Sequence, residues 1–160
     1  MINCSLHVSL PKKGFYRILY MKIASTSFLV IEDNAFTSIV VCKALHSLGA
    51  TQVETARTGR EALNRITSMN SPPDVLLLDL RMPEMGGVEL LRWLAEQHYT
   101  GHVILTTGVD EQTLIAVEDI ARKSDVNILG RLPKPINAQA LSDLLSQLPQ
   151  NVPDKTPASS

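Results

Sequence analysis

Between residues 27 and 148, short apolar runs alternate with stretches whose apolar residues recur at helical spacing. The run "VLLL" (75–78) is too short for a helix and lies between Pro72-Pro73 and the breakers Pro83 and Gly86-Gly87. It reads as a strand buried on both faces. "SFLVIED" (27–33) is an apolar run ending in two acids, followed by Val40, Val41, Ala44, Leu45 and Leu48 on a helix that Gly49 stops. "TQVETA" (51–56) alternates weakly as a strand, and Ala62, Leu63 and Ile66 stripe the helix after it. Val88, Leu91 and Leu94 mark a third helix, "HVILTTG" (102–108) a fourth strand, and Leu114, Val117 and Ala121 a fourth helix. "NILGRL" (127–132) gives a fifth strand, and Leu141, Leu144, Leu145 and Leu148 fall at i, i+3, i+4, i+7 on the last helix. A (βα)5 order requires mostly parallel strands, right-handed crossovers and helices on both faces of a doubly wound α/β sheet.

In such a sheet the carboxyl ends of the strands share one rim, where ligands bind. Strand one ends in Glu32-Asp33, strand three in Asp79, strand four in Thr106-Thr107, and strand five leads to Lys134. Alone, Asp79 also suits a turn, and Glu32-Asp33 suits the first turn of a helix. Together they form a constellation that chance rarely produces. Two carboxylates about 4 Å apart repel by roughly 4 kcal/mol at an effective dielectric near 20, so converging acids call for a cation. Oxygen donors that leave room for water and phosphate oxygens suit Mg²⁺. Thr106 is read as a β-branched strand residue.

Composition changes this picture little. The chain has 160 residues, 44% of them hydrophobic, and a formal net charge of −1, which fits one globular domain. With no basic run longer than Lys12-Lys13, no direct nucleic-acid contact is expected. No stretch has the length of a membrane span, and no signal peptide is apparent. Cys4 and Cys42 have no metal-ligand spacing and are expected to be reduced, in the cytoplasm. His46, His98 and His102 read as surface or helix-end residues, and Trp93 as a packing residue. Residues 1–24 are interrupted by Pro11, Lys12, Lys13 and Gly14, and are expected to be an extension outside the core fold, the competing reading being a short amphipathic element that docks on the domain. Residues 25–148 form the domain, and the Pro/Ser-rich 149–160 a tail or linker stub.

The motifs "LVIEDN", "VLLLDLRMPEMGG", "ILTTG" and "LPKP", in this order and separated by amphipathic helices, closely resemble the CheY-like receiver domain of two-component response regulators. The resemblance implies a flavodoxin-like sheet of order 2-1-3-4-5. It implies Asp79 as phosphoacceptor, with Glu32, Asp33, Asp79 and the backbone carbonyl of Arg81 serving Mg²⁺. Thr107 would bond the phosphoryl group and act as a switch, Lys134 would pair with a phosphoryl oxygen, and the Lys134-Pro135 bond would be cis. The implied partners are a histidine kinase or phosphotransfer protein and an effector domain or output protein, with homodimerisation as one output. Mg²⁺-dependent self-phosphorylation from small phosphodonors and autodephosphorylation would follow.

Two departures matter. Where many receivers carry an aromatic switch residue, three positions before the Lys, this chain has Arg131. The segment from Thr107 to Lys134 is also longer than usual by about one helical turn. In this region the chain resembles receivers joined to EAL-type cyclic-di-GMP phosphodiesterase domains, although no EAL motif is present. The alternative is a pseudo-receiver, an interaction module that never carries phosphate. A haloacid-dehalogenase-type enzyme would need a second Asp two positions after Asp79, where Arg81 stands.

Overall fold

The computed structural model describes residues 14–82, 84–106, 108 and 110–149. The chain runs α1 (Gly14–Ala24), β1 (Ser27–Ile31), α2 (Ala35–Ser47), β2 (Gln52–Ala56), α3 (Gly59–Ser68) and β3 (Val75–Asp79). It continues through α4 (Gly87–Glu96), β4 (His102–Thr106), α5 (Glu111–Lys123), β5 (Asn127–Leu132) and α6 (Ala138–Ser146). The five strands form one parallel sheet of order β2-β1-β3-β4-β5, as the resemblance implies.

Strand alternation divides the core into two halves. Leu76, Leu78, Leu29, Ile31, Val103 and Leu105 face one side, against Leu90, Leu91 and Leu94 of α4 and Val117 of α5. Val75, Leu77, Phe28, Val30 and Ile104 face the other, against Val41 and Leu45 of α2 and Leu141 and Leu145 of α6. Central β3 is buried along its whole length, because helices cover both of its faces. Asn34, Thr58, Asp110 and Asn137 each cap a helix N-terminus with a side-chain oxygen.

Two features depart from the sequence reading. Residues 14–24 are not outside the core: α1 docks on the domain, with Leu19 and Ile23, one helical turn apart, buried among α2 and α6 residues. The Lys22 ammonium donates to the Leu148 carbonyl, and the Thr51 hydroxyl to the Ala24 carbonyl at 2.9 Å. The expected boundary at residue 25 is corrected to that extent; residues 1–13 and 150–160 lie outside the described residues. The second departure is in β5. Val103 pairs with Ile128 but Ile104 with Gly130, so Leu129 is an extra residue. This bulge puts Leu129 against the α2/α6 half of the core and Gly130 beneath Leu144.

Gly49 lies between α2 and β2, against Tyr20 of α1. Its φ of 108° closes α2, with Gly49 N donating to His46 O and Ala50 N to Leu45 O, both at 3.0 Å. The Tyr20 ring lies where a Cβ on Gly49 would be, with Cδ2 2.7 Å from that position. Gly49→Ala therefore meets both backbone strain and a collision. It should destabilise the chain by about 1–2 kcal/mol. An unchanged urea midpoint would show that α1 moves aside freely.

Candidate functional site

Past the last apolar residues of β1 and β3, the same face of the sheet carries Glu32, two residues after Val30, and Asp79, two after Leu77. Both are buried, each 2% exposed. Thr106, equally buried, pairs with Asp79 across the β3–β4 ladder. Lys134 arrives from the β5–α6 loop through a cis bond to Pro135, as the resemblance implies. Its ammonium lies 2.9 Å from Glu32 Oε2 and 3.2 Å from Asp79 Oδ2, bridging the two carboxylates.

The backbone holds the other oxygens. Arg81 N donates to Asp79 Oδ1 at 2.9 Å, and Asn34 N to Glu32 Oε1 at 3.2 Å. Glu32 Oε2 has no aligned hydrogen-bond donor despite its close ion pair with Lys134. Glu32, Asp33 and Asp79 can each offer one oxygen, all within 4.8 Å of one another. A buried oxygen without an aligned donor, inside a three-carboxylate cluster, fits a hard divalent cation.

Burial, and secondarily the Asp79 charge, raises the Glu32 pKa against the opposing contacts with Lys134 and Asn34. A raised carboxyl pKa favours the folded state at acid pH. That contribution is lost as pH rises past the ordinary Glu range, so at neutral pH the fold carries a strained carboxylate that a cation relieves. For Lys134, partial burial pulls the pKa down, but contacts with Glu32 and Asp79 outweigh it and the net shift is upward. The resulting stabilisation is present through neutral pH and is lost only as pH rises through the lysine range.

Of the residues singled out from sequence, Glu32, Asp33, Asp79 and Lys134 converge here, and Thr107 lies outside the described residues. Arg131 is exposed on β5, opposite Leu105 of β4. Arg81 was singled out for its carbonyl, whereas the bond seen is from its amide to Asp79. No side-chain pattern announces a backbone donor. Gly87, the first residue of α4, was also missed as a contributor: a Cβ there would lie 2.6 Å from both Asp79 O and Leu80 Cα. Its signal in the sequence is the Gly86-Gly87 pair, which by itself marks only a break in the chain.

Comparison with known proteins places this geometry among relatives. A family model described as "Response regulator receiver domain" matches residues 28–146. The chain is 37% identical over 83 residues to a protein-glutamate methylesterase/protein-glutamine glutaminase of Archaeoglobus fulgidus, spanning 52% of this chain and 23% of that protein. It is 30% identical over 121 residues to the positive alginate biosynthesis regulatory protein of Pseudomonas aeruginosa, spanning 74% of this chain and 45% of that protein. The chain therefore spans between about a quarter and a half of these relatives. Among solved structures, chemotaxis protein CheY4 of Vibrio cholerae superposes with a TM-score of 0.65 at 25% identity, covering 78% of this chain and 98% of the other. A response regulator of Colwellia psychrerythraea gives 0.64 at 28% identity, with 77% and 95% covered.

Proposed function

The chain belongs to the response regulator receiver family, and from that premise we propose that it accepts a phosphoryl group on Asp79 from a histidine kinase or phosphotransfer protein and switches an output surface. The observation that carries the reading is the acidic cluster itself: buried Glu32 and Asp79 and half-buried Asp33 able to converge within 4.8 Å, with Lys134 bridging two of them. A structural salt bridge needs one acid for one ammonium, and the excess negative charge here favours a metal. Glu32, Asp33 and Asp79, with the Arg81 carbonyl, would hold Mg²⁺, which supplies charge compensation for the phosphoryl oxygens.

The chain's own residues do the rest. Asp79 is fixed at a strand end, with one oxygen held by the Arg81 amide and the other by Lys134. A carboxylate oxygen forms the new P–O bond as the P–N bond to the donor imidazole breaks, and the electron pair leaves with that nitrogen. Lys134 then exchanges its carboxylate partner for a phosphoryl oxygen. Intact mass after incubation with acetyl phosphate, with and without Mg²⁺, tests the reading. A pseudo-receiver would gain no phosphoryl group.

Lys134→Ala separates metal binding from response. Loss of the ammonium removes a charge that repels the metal, so Mg²⁺ affinity should be equal or up to about tenfold higher. Phosphorylation-induced NMR shifts in α5 and β5 should nevertheless shrink. Mg²⁺ binding abolished by this substitution would contradict the assigned roles.

The proposed output route is the α5–β5 face, with Thr107 at its root and Arg131 near its end, without an aromatic rotamer switch. It is supported by the exposed Arg131 in place of an aromatic ring. Beryllofluoride should change hydrogen exchange across residues 108–132, and Thr107→Ala should reduce that change while Asp79 stays reactive. Changes confined to α2 or α3 would rule the route out. The output would be self-association or contact with an effector, for which the resemblance of residues 106–135 suggests an EAL-type phosphodiesterase. Purified cyclic-di-GMP phosphodiesterase activity, assayed with and without the phosphorylated chain, tests that suggestion.

No helix among the described residues is long and apolar enough to cross a membrane. The proposed location is the cytoplasm. Fractionation of cells carrying the tagged chain tests it, and enrichment in the membrane fraction would count against it.

A further inference from the structure

At the opposite end of the sheet from Asp79, about 13 Å away along β3, lies a cavity of about 290 Å³. We propose that it binds a small carboxylate with an apolar body. The volume lies just below the range usual for ligand pockets, roughly 300–1,000 Å³, which fits a small ligand. Its walls are largely apolar, with Pro72, Pro73 and Leu148 prominent, and two basic side chains, Lys22 and His102, also line it. The Lys22 ammonium has three donors and spends one on the Leu148 carbonyl. Among the described residues Lys22 forms no ion pair. Asp74 borders the same space with a carboxylate tied to β1, where Oδ2 accepts from Ser27 N at 2.8 Å and Ser27 Oγ at 3.0 Å, so it offsets part of the positive charge. The Tyr99 hydroxyl is likewise committed, donating to the Pro73 carbonyl.

Burial lowers the pKa of Lys22. It also lowers that of His102, with a further push from the Lys22 charge that outweighs Asp74. An entering carboxylate would favour the charged form of both groups, adding to the partial offset that Asp74 already gives. One ammonium and one imidazole suit a monoanion, while a phosphate dianion would want a denser set of donors. The apolar walls then hold the remainder of the molecule.

The probe is 4-phenylbutyrate, with its neutral counterpart 4-phenylbutan-1-ol as control, titrated into the full chain and followed by amide NMR. Saturable shifts confined to residues 22–26, 71–75, 99–102 and 148–149 are expected, with the alcohol and the Lys22→Met variant each binding at least about tenfold more weakly. Ser71→Trp, at an exposed position on the rim, leaves Lys22 in place and should block entry. This second variant keeps the test decisive if Lys22→Met fails to fold. Equal binding of acid and alcohol, shifts scattered over other surface lysines, or undiminished binding by Ser71→Trp would each overturn the proposal.

Discussion

Asp79→Asn is expected to abolish phosphoryl incorporation from acetyl phosphate, whereas the wild-type chain is expected to gain one group in a Mg²⁺-dependent reaction. The amide keeps the size of the carboxylate and its ability to accept from Arg81 N, so the loop geometry at 2.9 Å should persist. It removes the charge and the nucleophilic oxygen together. Lys134 keeps one carboxylate partner, Glu32 at 2.9 Å, so the fold should survive. Weaker Mg²⁺ binding is expected too, since one of three clustered carboxylates is gone. Intact mass reads the first effect and a Mg²⁺ titration the second. A variant that still gains a phosphoryl group would place the acceptor elsewhere and sink the assignment.

The acidic site was legible because its residues break a rule that the rest of the chain obeys. A carboxylate directly after four apolar residues is costly to bury unless something compensates it, and this marked both Asp79 and the Glu32-Asp33 pair. Lys134 carried a weaker local signal, since its partners lie 55 and 102 positions away along the chain. The ladder neighbour Thr106 was read as an ordinary strand residue, and its burial beside Asp79 depends on the β3–β4 register. No sequence pattern gives that register directly.

The fold divides along similar lines. β3 announces itself as an unbroken apolar run between breakers, and α6 because one helical period runs through it without interruption. Hydrophobic residues on α1 occur both on the docked side, as Leu19 and Ile23, and at exposed positions, as Ile18 and Met21. With no single stripe, and with Gly14 following Pro11 and two lysines, the helix resembled an unstructured lead-in. The bulge at Leu129 was invisible for a different reason. An extra residue shifts the alternation of β5 by one, and only pairing with β4 reveals where.

Gly87→Ala should damage stability and phosphorylation together. The added Cβ would meet Asp79 O and Leu80 Cα, both at 2.6 Å, and both belong to the backbone that positions the proposed acceptor. A flexible side chain could swing away, as Tyr20 could in part from Gly49, but a backbone carbonyl at the end of a fully buried strand cannot. The alternative is for α4 to retreat, which pulls Leu90, Leu91 and Leu94 from the core they fill. Overpacking of this kind costs about 1–3 kcal/mol, and the upper half of that range is expected here because both obstacles are rigid. On a domain of this size the melting temperature should fall by roughly 5 °C or more. Any movement of Asp79 O reaches its carboxylate through one residue, so the rate of labelling by acetyl phosphate should fall even below the melting transition. Thermal unfolding and labelling rate, measured on the same preparation, test both effects. A stable variant with a normal rate would show that the β3–α4 junction has slack the structure does not display.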